Sequence, residues 1–158
     1  MVLFLGQCVE EAQYFFKQPD WTLRIGNRTH QMRVKSLEVI PFEIQLEQER
    51  RTYQLHNWLA LNQANYKTYA SYDSLAKRMV LLENILLGHL KAFAEGIGLA
   101  SNLPIKVALL EIVSDKWVSY KGVKVLTFRL YFKTNLFIPD FVALGKGITT
   151  GFGVVRGV

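Results

Sequence analysis

A long amphipathic segment near the middle of the chain sets the strongest limit on what this sequence can fold into. From about Tyr72 to Ile97, apolar residues recur at steps of three and four, which predicts an α-helix with one continuous apolar stripe. Gly96 and Gly98 are suited to end the helix, while Gly88 inside it predicts close packing against another element. The stripe consists of Leu75, Met79, Leu82, Leu86, Leu90, Phe93 and Ile97.

Alternating apolar and polar residues predict strands on both sides of this helix. Downstream, residues 105–117 and 123–133 flank a turn at 119–122, and the second of these strands has one apolar and one polar face. Upstream, residues 42–55 predict another strand. Pro139–Leu144 predicts one or two helical turns, and the last residues predict a final strand. The resulting order is βαββαβ, which indicates an α+β chain with a ferredoxin-like fold.

Residues 1–36 predict less structure than an independent domain needs. They contain one short helix (Val9–Lys17) and two strands (Trp21–Ile25 and Gln31–Lys35) joined at Gly26-Asn27-Arg28. These elements are too few to bury a core of their own, yet too regular for a tail. The interpretation is a partial N-terminal portion over 1–36 and a complete domain over 37–158.

Charge is distributed unevenly along the chain. Eleven Lys/Arg and ten Asp/Glu precede residue 101, whereas eight and three follow it, so +5 of the net charge of +6 lies in the last third. Such a basic field is typical of proteins that bind a polyanion, although a basic surface that only serves solubility has the same pattern. The single cysteine, Cys8, excludes an intrachain disulfide and suits a reducing cytoplasm, and no segment is long and apolar enough for a membrane span.

A glycine-rich loop, Leu144-Gly-Lys-Gly-Ile-Thr-Thr-Gly-Phe-Gly153, lies in this basic part of the chain. A Walker P-loop requires Ser or Thr after its lysine, but Gly147 follows Lys146. A dinucleotide-binding motif requires a helix after the glycines, and too few residues remain for one. Three interpretations stay open: backbone amides lying along an RNA strand, a tight connection packed against the protein itself, or a nucleotide site of another kind.

The same loop resembles the C-terminal signature of the RAMP proteins of CRISPR systems. More narrowly, FIPDFVALGKGITTGFGVV at 137–155 resembles the end of the CRISPR repeat-cleaving endoribonucleases, which process precursor guide RNA. Two further segments match a subfamily of these enzymes in the same order: NWLALNQANY at 57–66 and ENILLGHLKAFAEGI at 83–97. The resemblance covers about residues 40–158.

This resemblance implies a fold, a chemistry and partners. Members of the family pair two ferredoxin-like folds and cut RNA without a metal or other cofactor. A base, usually histidine, activates a 2′-hydroxyl to attack the adjacent phosphate, which leaves a cyclic phosphate. Residues 1–36 are then expected to be an incomplete first ferredoxin-like fold. The expected partners are CRISPR repeat RNA and other CRISPR-associated proteins, and an exposed edge of the incomplete sheet favours pairing with a second copy.

The resemblance leaves the catalytic residue unassigned. In the family the histidine usually lies in the part of the first fold that this sequence lacks, and His30, His56 and His89 each have a structural explanation. We therefore expect a shortened member that binds RNA better than it cuts it. A non-cleaving RNA-binding RAMP subunit of a ribonucleoprotein is the main alternative, and a small-molecule-regulated ferredoxin-like domain is the third.

The expected RNA contacts are cations and glycines of the last third of the chain, together with one asparagine. Trp117 and Tyr120 near the hairpin turn accompany cations, a mixture that suits phosphate contact and base stacking. No cluster with metal-ligand spacing is evident, so no metal site is predicted. The full set of expected contacts is Lys116, Lys121, Arg129, Lys133, Asn135, Gly145, Lys146, Gly147, Gly151, Gly153 and Arg156.

Overall fold

The computed structural model describes residues 8–36, 42–99 and 104–158, and the chain divides between Phe42 and Glu43 into two compact units. The N-terminal unit contains helix α1 (Cys8–Phe16) and a hairpin of strands β1 (Thr22–Ile25) and β2 (Arg28–Gln31). The predicted strand at 31–35 is wrong, because the turn has two residues rather than three and the return strand starts at once. Gly26, with φ of 60°, supplies the left-handed backbone that such a short turn requires.

The C-terminal unit contains a four-stranded sheet. Its strands are ordered β4-β5-β3-β6, and every neighbouring pair is antiparallel. Strands β3 and β4 are connected through helices and separated by β5, which is the split βαβ arrangement of a ferredoxin-like fold. The predicted α+β fold is confirmed. The elements are β3 (Leu46–Trp58), α2 (Gln63–Ser71), α3 (Leu75–Gly96), β4 (Val107–Tyr120), β5 (Val123–Leu136) and β6 (Val154–Gly157).

Helix α3 covers one face of the sheet with the predicted stripe. Leu82, Leu86 and Leu90 are fully buried, whereas Leu75 at the start of the helix is 64% exposed and lies outside the core. The prediction for Gly88 is wrong: a side chain there would meet nothing within 4 Å. Gly88 stands two residues from both Leu86 and Leu90, and a step of two residues leads away from the buried face.

The sheet side of the core comes from the inward residues of β3 and β5. Leu55, Trp58, Phe128, Leu130 and Phe132 are each at most 1% exposed. Burying a side chain of this size contributes roughly 2–3 kcal/mol relative to leaving it in water. The alternation predicted for β5 therefore holds, and the opposite face of the same strand is left for polar residues.

Two elements of the C-terminal unit differ from the prediction. Helix α2 was not anticipated; Asn62 caps it, its side chain accepting from the Asn65 amide at 2.8 Å. The short helix predicted over Pro139–Leu144 is replaced by irregular backbone. Phe141 has φ of 70°, which a right-handed helix excludes, and Ala143 pairs with Val154 in an isolated bridge. None of the described helices is long and apolar enough to span a lipid bilayer.

Candidate nucleic-acid interface

The face of the sheet turned away from α3 carries basic and polar side chains from three strands. On β5, Arg129 and Lys133 are exposed and Tyr131 is half-buried between them. Gln54 of β3 lies opposite Tyr131 on one side and opposite Arg156 of β6 on the other. Directly opposed residues of antiparallel strands point to the same face, so these predicted contacts share one surface. We call this surface the open face.

A hydrogen-bond network fixes the middle of the open face. With its nitrogen facing His56, the Gln54 amide donates to His56 Nε2 at 2.6 Å, and its oxygen accepts from the Tyr131 hydroxyl at 2.8 Å and from Arg129 Nη2 at 3.1 Å. This orientation is assigned from the neighbours, because it alone satisfies both ends of the amide. The bond to Nε2 places the proton of a neutral imidazole on Nδ1.

Beside this network the open face is indented. The depression is about 260 Å³ in volume, and it brings together Lys116 of β4 and Arg129 of β5, two of the predicted contacts. His56 at its wall was not predicted as a contact. Burial lowers the pKa of His56, and Arg129 and Arg156 lower it further. The depression is lined by His56, Asn57, Ser114, Lys116, Thr127, Phe128 and Arg129.

Helix α3 and β3 meet beneath the glycine-rich loop. Trp58 Nε1 donates to His89 Nδ1 at 3.1 Å, and the two rings are perpendicular with centroids 5.6 Å apart. A Cβ on Gly145 would lie 2.9 Å from Trp58 Nε1 and 3.0 Å from His89 Cε1. Gly145 is therefore glycine because the loop packs against its own protein at this point. His89 has the structural role expected of it, and burial, then Lys146, lowers its pKa.

Further along the loop, the glycines divide into two kinds. A Cβ on Gly153 would overlap the Leu144 carbonyl oxygen, and one on Gly147 would lie 3.0 Å from the Phe152 ring. Gly151 has open space around it, and its φ of 86° alone favours glycine. Packing against the protein, one of the three interpretations left open, thus explains Gly145, Gly147 and Gly153.

The loop also presents groups to solvent. Lys146 is exposed, and among the described residues no group accepts a hydrogen bond from the backbone amides of residues 145–149. The last two of these residues belong to a short 3₁₀ helix, Ile148–Thr150. Consecutive free amides beside a lysine form an arrangement that favours anions. Packing within the protein and contact with RNA are therefore compatible, because they use different atoms of this loop.

The tip of the β4–β5 hairpin contacts the same loop. The Tyr120 ring meets Phe152 edge to face at 5.3 Å, and Lys121 Nζ lies 5.4 Å from the Tyr120 ring centre. Trp117 is 54% exposed and meets Tyr66 of α2 at 5.7 Å. The structure therefore places the predicted hairpin cation Lys121 next to the glycine-rich loop.

Asn135 has a structural role that argues against its predicted RNA contact. It is 5% exposed, its side-chain oxygen accepts from the Lys106 amide at 2.7 Å, and its nitrogen donates to the Pro104 carbonyl at 3.2 Å. Both ends of the amide hold the start of β4 against β5. The local sequence predicts an RNA contact from the position of Asn135 just past the strand, and only the pairing of the two strands shows that the residue is covered.

The basic residues of the interface have few acidic neighbours. Within the described part of the chain, ion pairs form only between Arg51 and Glu47 and between Lys77 and Asp73. The expected contacts Lys116, Arg129 and Lys133 thus have no carboxylate partner there, although Glu111 lies across from Tyr131 on the neighbouring strand. Arg156 stacks on the Phe141 ring at 4.4 Å. No group of three His, Cys, Asp or Glu side chains among the described residues is arranged to hold a metal ion.

Comparison with known proteins finds a matching family and several similar chains. The family described as the Cas6b C-terminal domain matches residues 45–158. An uncharacterized protein of Methanocaldococcus jannaschii is 36% identical over 98 residues, which are 62% of this chain and 65% of that protein, so the match spans just under two thirds of the relative. A crystal structure of Cas6b superposes with a TM-score of 0.80 at 24% identity, over 95% of this chain and 67% of that one. A crystal structure of the CRISPR RNA processing endoribonuclease Cas6b gives 0.72 at 22% identity, over 92% and 71%.

Proposed function

Since residues 45–158 make this chain a member of the Cas6b C-terminal domain family, we propose that it binds the repeat of a precursor CRISPR RNA and takes part in its processing. The match includes the whole described sheet of the C-terminal unit, helix α3 and the glycine-rich loop. The observation that carries the proposal is the set of cations on the open face. Lys116, Arg129 and Lys133 share that face without a carboxylate partner among the described residues.

Unpaired cations on a sheet suit an RNA backbone for a physical reason. Phosphates attract them over several ångströms, and each contact releases a counterion from the RNA, which favours binding at low salt. The free amides and Lys146 of the glycine-rich loop extend the basic surface, and the neighbouring hairpin adds Lys121. Trp117 pairs with the inward residue Leu126 and contacts Tyr66 of α2, so its ring lies on the other face of the sheet. Selectivity for the repeat sequence then depends on protein groups other than these phosphate contacts.

Binding rather than cutting is the principal role that we assign to the C-terminal unit. A general base needs a free lone pair, and both histidines there use one internally: His56 Nε2 accepts from Gln54, and His89 Nδ1 accepts from Trp58. His30 on β2 is exposed, and no described group bonds to its ring. We therefore assign to His30 the role of base in any cleavage that this chain supports by 2′-hydroxyl attack.

The test uses a repeat transcript from the CRISPR array of the source genome, with a scrambled RNA of equal length as control. The 158-residue chain is expected to bind the repeat more tightly in fluorescence anisotropy, in the presence of EDTA. His30→Ala should leave this affinity unchanged and remove cleavage. Equal affinity for both RNAs argues against a repeat-binding role, and cleavage that survives His30→Ala excludes His30 as the base.

A further inference from the structure

We propose that the depression beside His56 binds a single phosphate group of an RNA strand, with the neutral imidazole of His56 as a hydrogen-bond donor beside Lys116 and Arg129. This inference rests on the proposed function, because it takes RNA as the ligand. It adds a defined phosphate site to a surface that was otherwise argued only from its charge, and it gives His56 a role that the sequence did not indicate.

The donors converge because three adjacent strands each contribute to one hollow. His56 comes from β3, Arg129 from β5, and Ser114 with Lys116 from β4, whereas the hydroxyl of the buried Thr127 donates to the Lys116 carbonyl at 3.1 Å. The register pairs Ser114 with Arg129 and Lys116 with Thr127. No carboxylate is among the lining residues, so the hollow contains two cations and no anion. This composition favours an anionic ligand over a neutral one.

Gln54 determines what His56 can do. Its amide nitrogen donates a hydrogen bond to His56 Nε2, so the other ring nitrogen, Nδ1, carries the proton and acts as a donor. The same amide accepts from Arg129 and Tyr131, which holds the guanidinium at the wall of the hollow. Because burial and two arginines lower the pKa of His56, the ring is neutral near pH 7 in the free protein. A donor with an occupied Nε2 is suited to bind a phosphate, and it is unsuited to remove a proton.

The size of the hollow also points to one phosphate. Its volume of about 260 Å³ falls below the range of roughly 300–1,000 Å³ that is usual for pockets enclosing a small organic ligand. A phosphate group with ordered water fits this space, and the rest of the strand continues over the open face. The guanidinium of an arginine is suited to donate two parallel hydrogen bonds to one phosphate, and the ammonium of a lysine adds a compact positive charge.

The experiment follows His56 itself by NMR, using the imidazole Cε1–H signal of the full chain, assigned by its loss in His56→Gln. The probes are a uridine dodecamer and, separately, inorganic phosphate. Both are expected to shift the His56 signal and to raise its pKa, because an anion in the hollow offsets the positive charges of Arg129 and Arg156 that lower this pKa in the free protein. Lys116→Gln should lower the slope of log affinity for the dodecamer against log salt by about 0.7, the value for one phosphate contact on a single strand. Lys91→Gln, an exposed lysine on α3, removes the same charge and should leave the slope unchanged.

Failure of this inference can be told from failure of the proposed function. If anisotropy shows the dodecamer bound while the His56 signal stays fixed and Lys116→Gln matches Lys91→Gln, the phosphate site is wrong and RNA binding stands. If no RNA binds at any salt concentration, both proposals fall. A shift with inorganic phosphate but none with RNA overturns the assignment of RNA as the ligand.

Discussion

Replacement of Gly145 by alanine tests how the glycine-rich loop is held. Gly145 and Gly151 have nearly the same φ, 91° and 86°, but of the two only a Cβ at Gly145 would meet other residues within 4 Å. An alanine at such φ costs about 1–2 kcal/mol at either position. At Gly145 the new methyl group also lies 2.9 Å from Trp58 Nε1, well inside the 3.4 Å lower limit of ordinary contact. Overpacking and loss of the Trp58–His89 hydrogen bond add about 1–3 kcal/mol.

The assay is urea unfolding followed by circular dichroism, with Gly151→Ala as the matched control. We expect Gly151→Ala to lower the free energy of unfolding by about 1–2 kcal/mol and Gly145→Ala by about 2–5 kcal/mol. In a Trp58→Phe background the excess loss at Gly145 should shrink, because the hydrogen bond is already gone. Equal losses for the two alanine variants would refute the argument that Gly145 is fixed by its contact with Trp58 and His89.

Three further predictions follow from the core and its polar contacts. Asn135→Ala should cost about 1–3 kcal/mol of stability by removing the two hydrogen bonds of its side chain, to the Lys106 amide and the Pro104 carbonyl, without weakening RNA binding, as unfolding and anisotropy would show; a loss of affinity at full stability contradicts it. The pKa of His89 is lowered on folding, so its contribution is present above the unfolded pKa of about 6.5 and is lost as pH falls below that value; His89→Gln should therefore flatten the decline in urea midpoint between pH 7.5 and 5.5, and an unchanged decline contradicts it. Leu86→Ala should cost about 2–5 kcal/mol in the same unfolding assay, and a loss below 1 kcal/mol would show that α3 packs loosely on the sheet.

Most of the C-terminal fold could be predicted from residue periodicity. Helix α3 and strand β5 each repeat a single pattern over many residues, and β6 follows glycines that end the preceding loop. Helix α2 lacks an apolar stripe, so residue periodicity did not predict it, and its cap at Asn62 is evident only in the structure. The segment Pro139–Leu144 has a helical composition, but its backbone is irregular, because Ala143 forms a bridge with Val154 and Phe141 has a left-handed conformation. The structure of these two segments therefore depends on tertiary contacts that the local sequence does not indicate.

Less of the candidate site than of the fold could be predicted from the sequence. Arg129 and Lys133 could be placed on a polar face because they alternate along one strand. The network at the centre of that face joins Gln54 and His56 to Arg129 and Tyr131, which lie more than seventy positions away in the chain. Only strand register brings them together. Burial likewise removed Asn135 from the expected contacts, because its covering strand starts far upstream.

The central claim is that RNA lies across the open face and the glycine-rich loop. The most direct test is photo-crosslinking of a repeat transcript that carries 4-thiouridine, followed by mass spectrometry of the linked peptides. We predict crosslinks within residues 116–121 and 146–152 and along β5 between Arg129 and Lys133, and a loss of these crosslinks at high salt. Crosslinks confined to the exposed face of α3, with none on the loop or on β5, would contradict the claim.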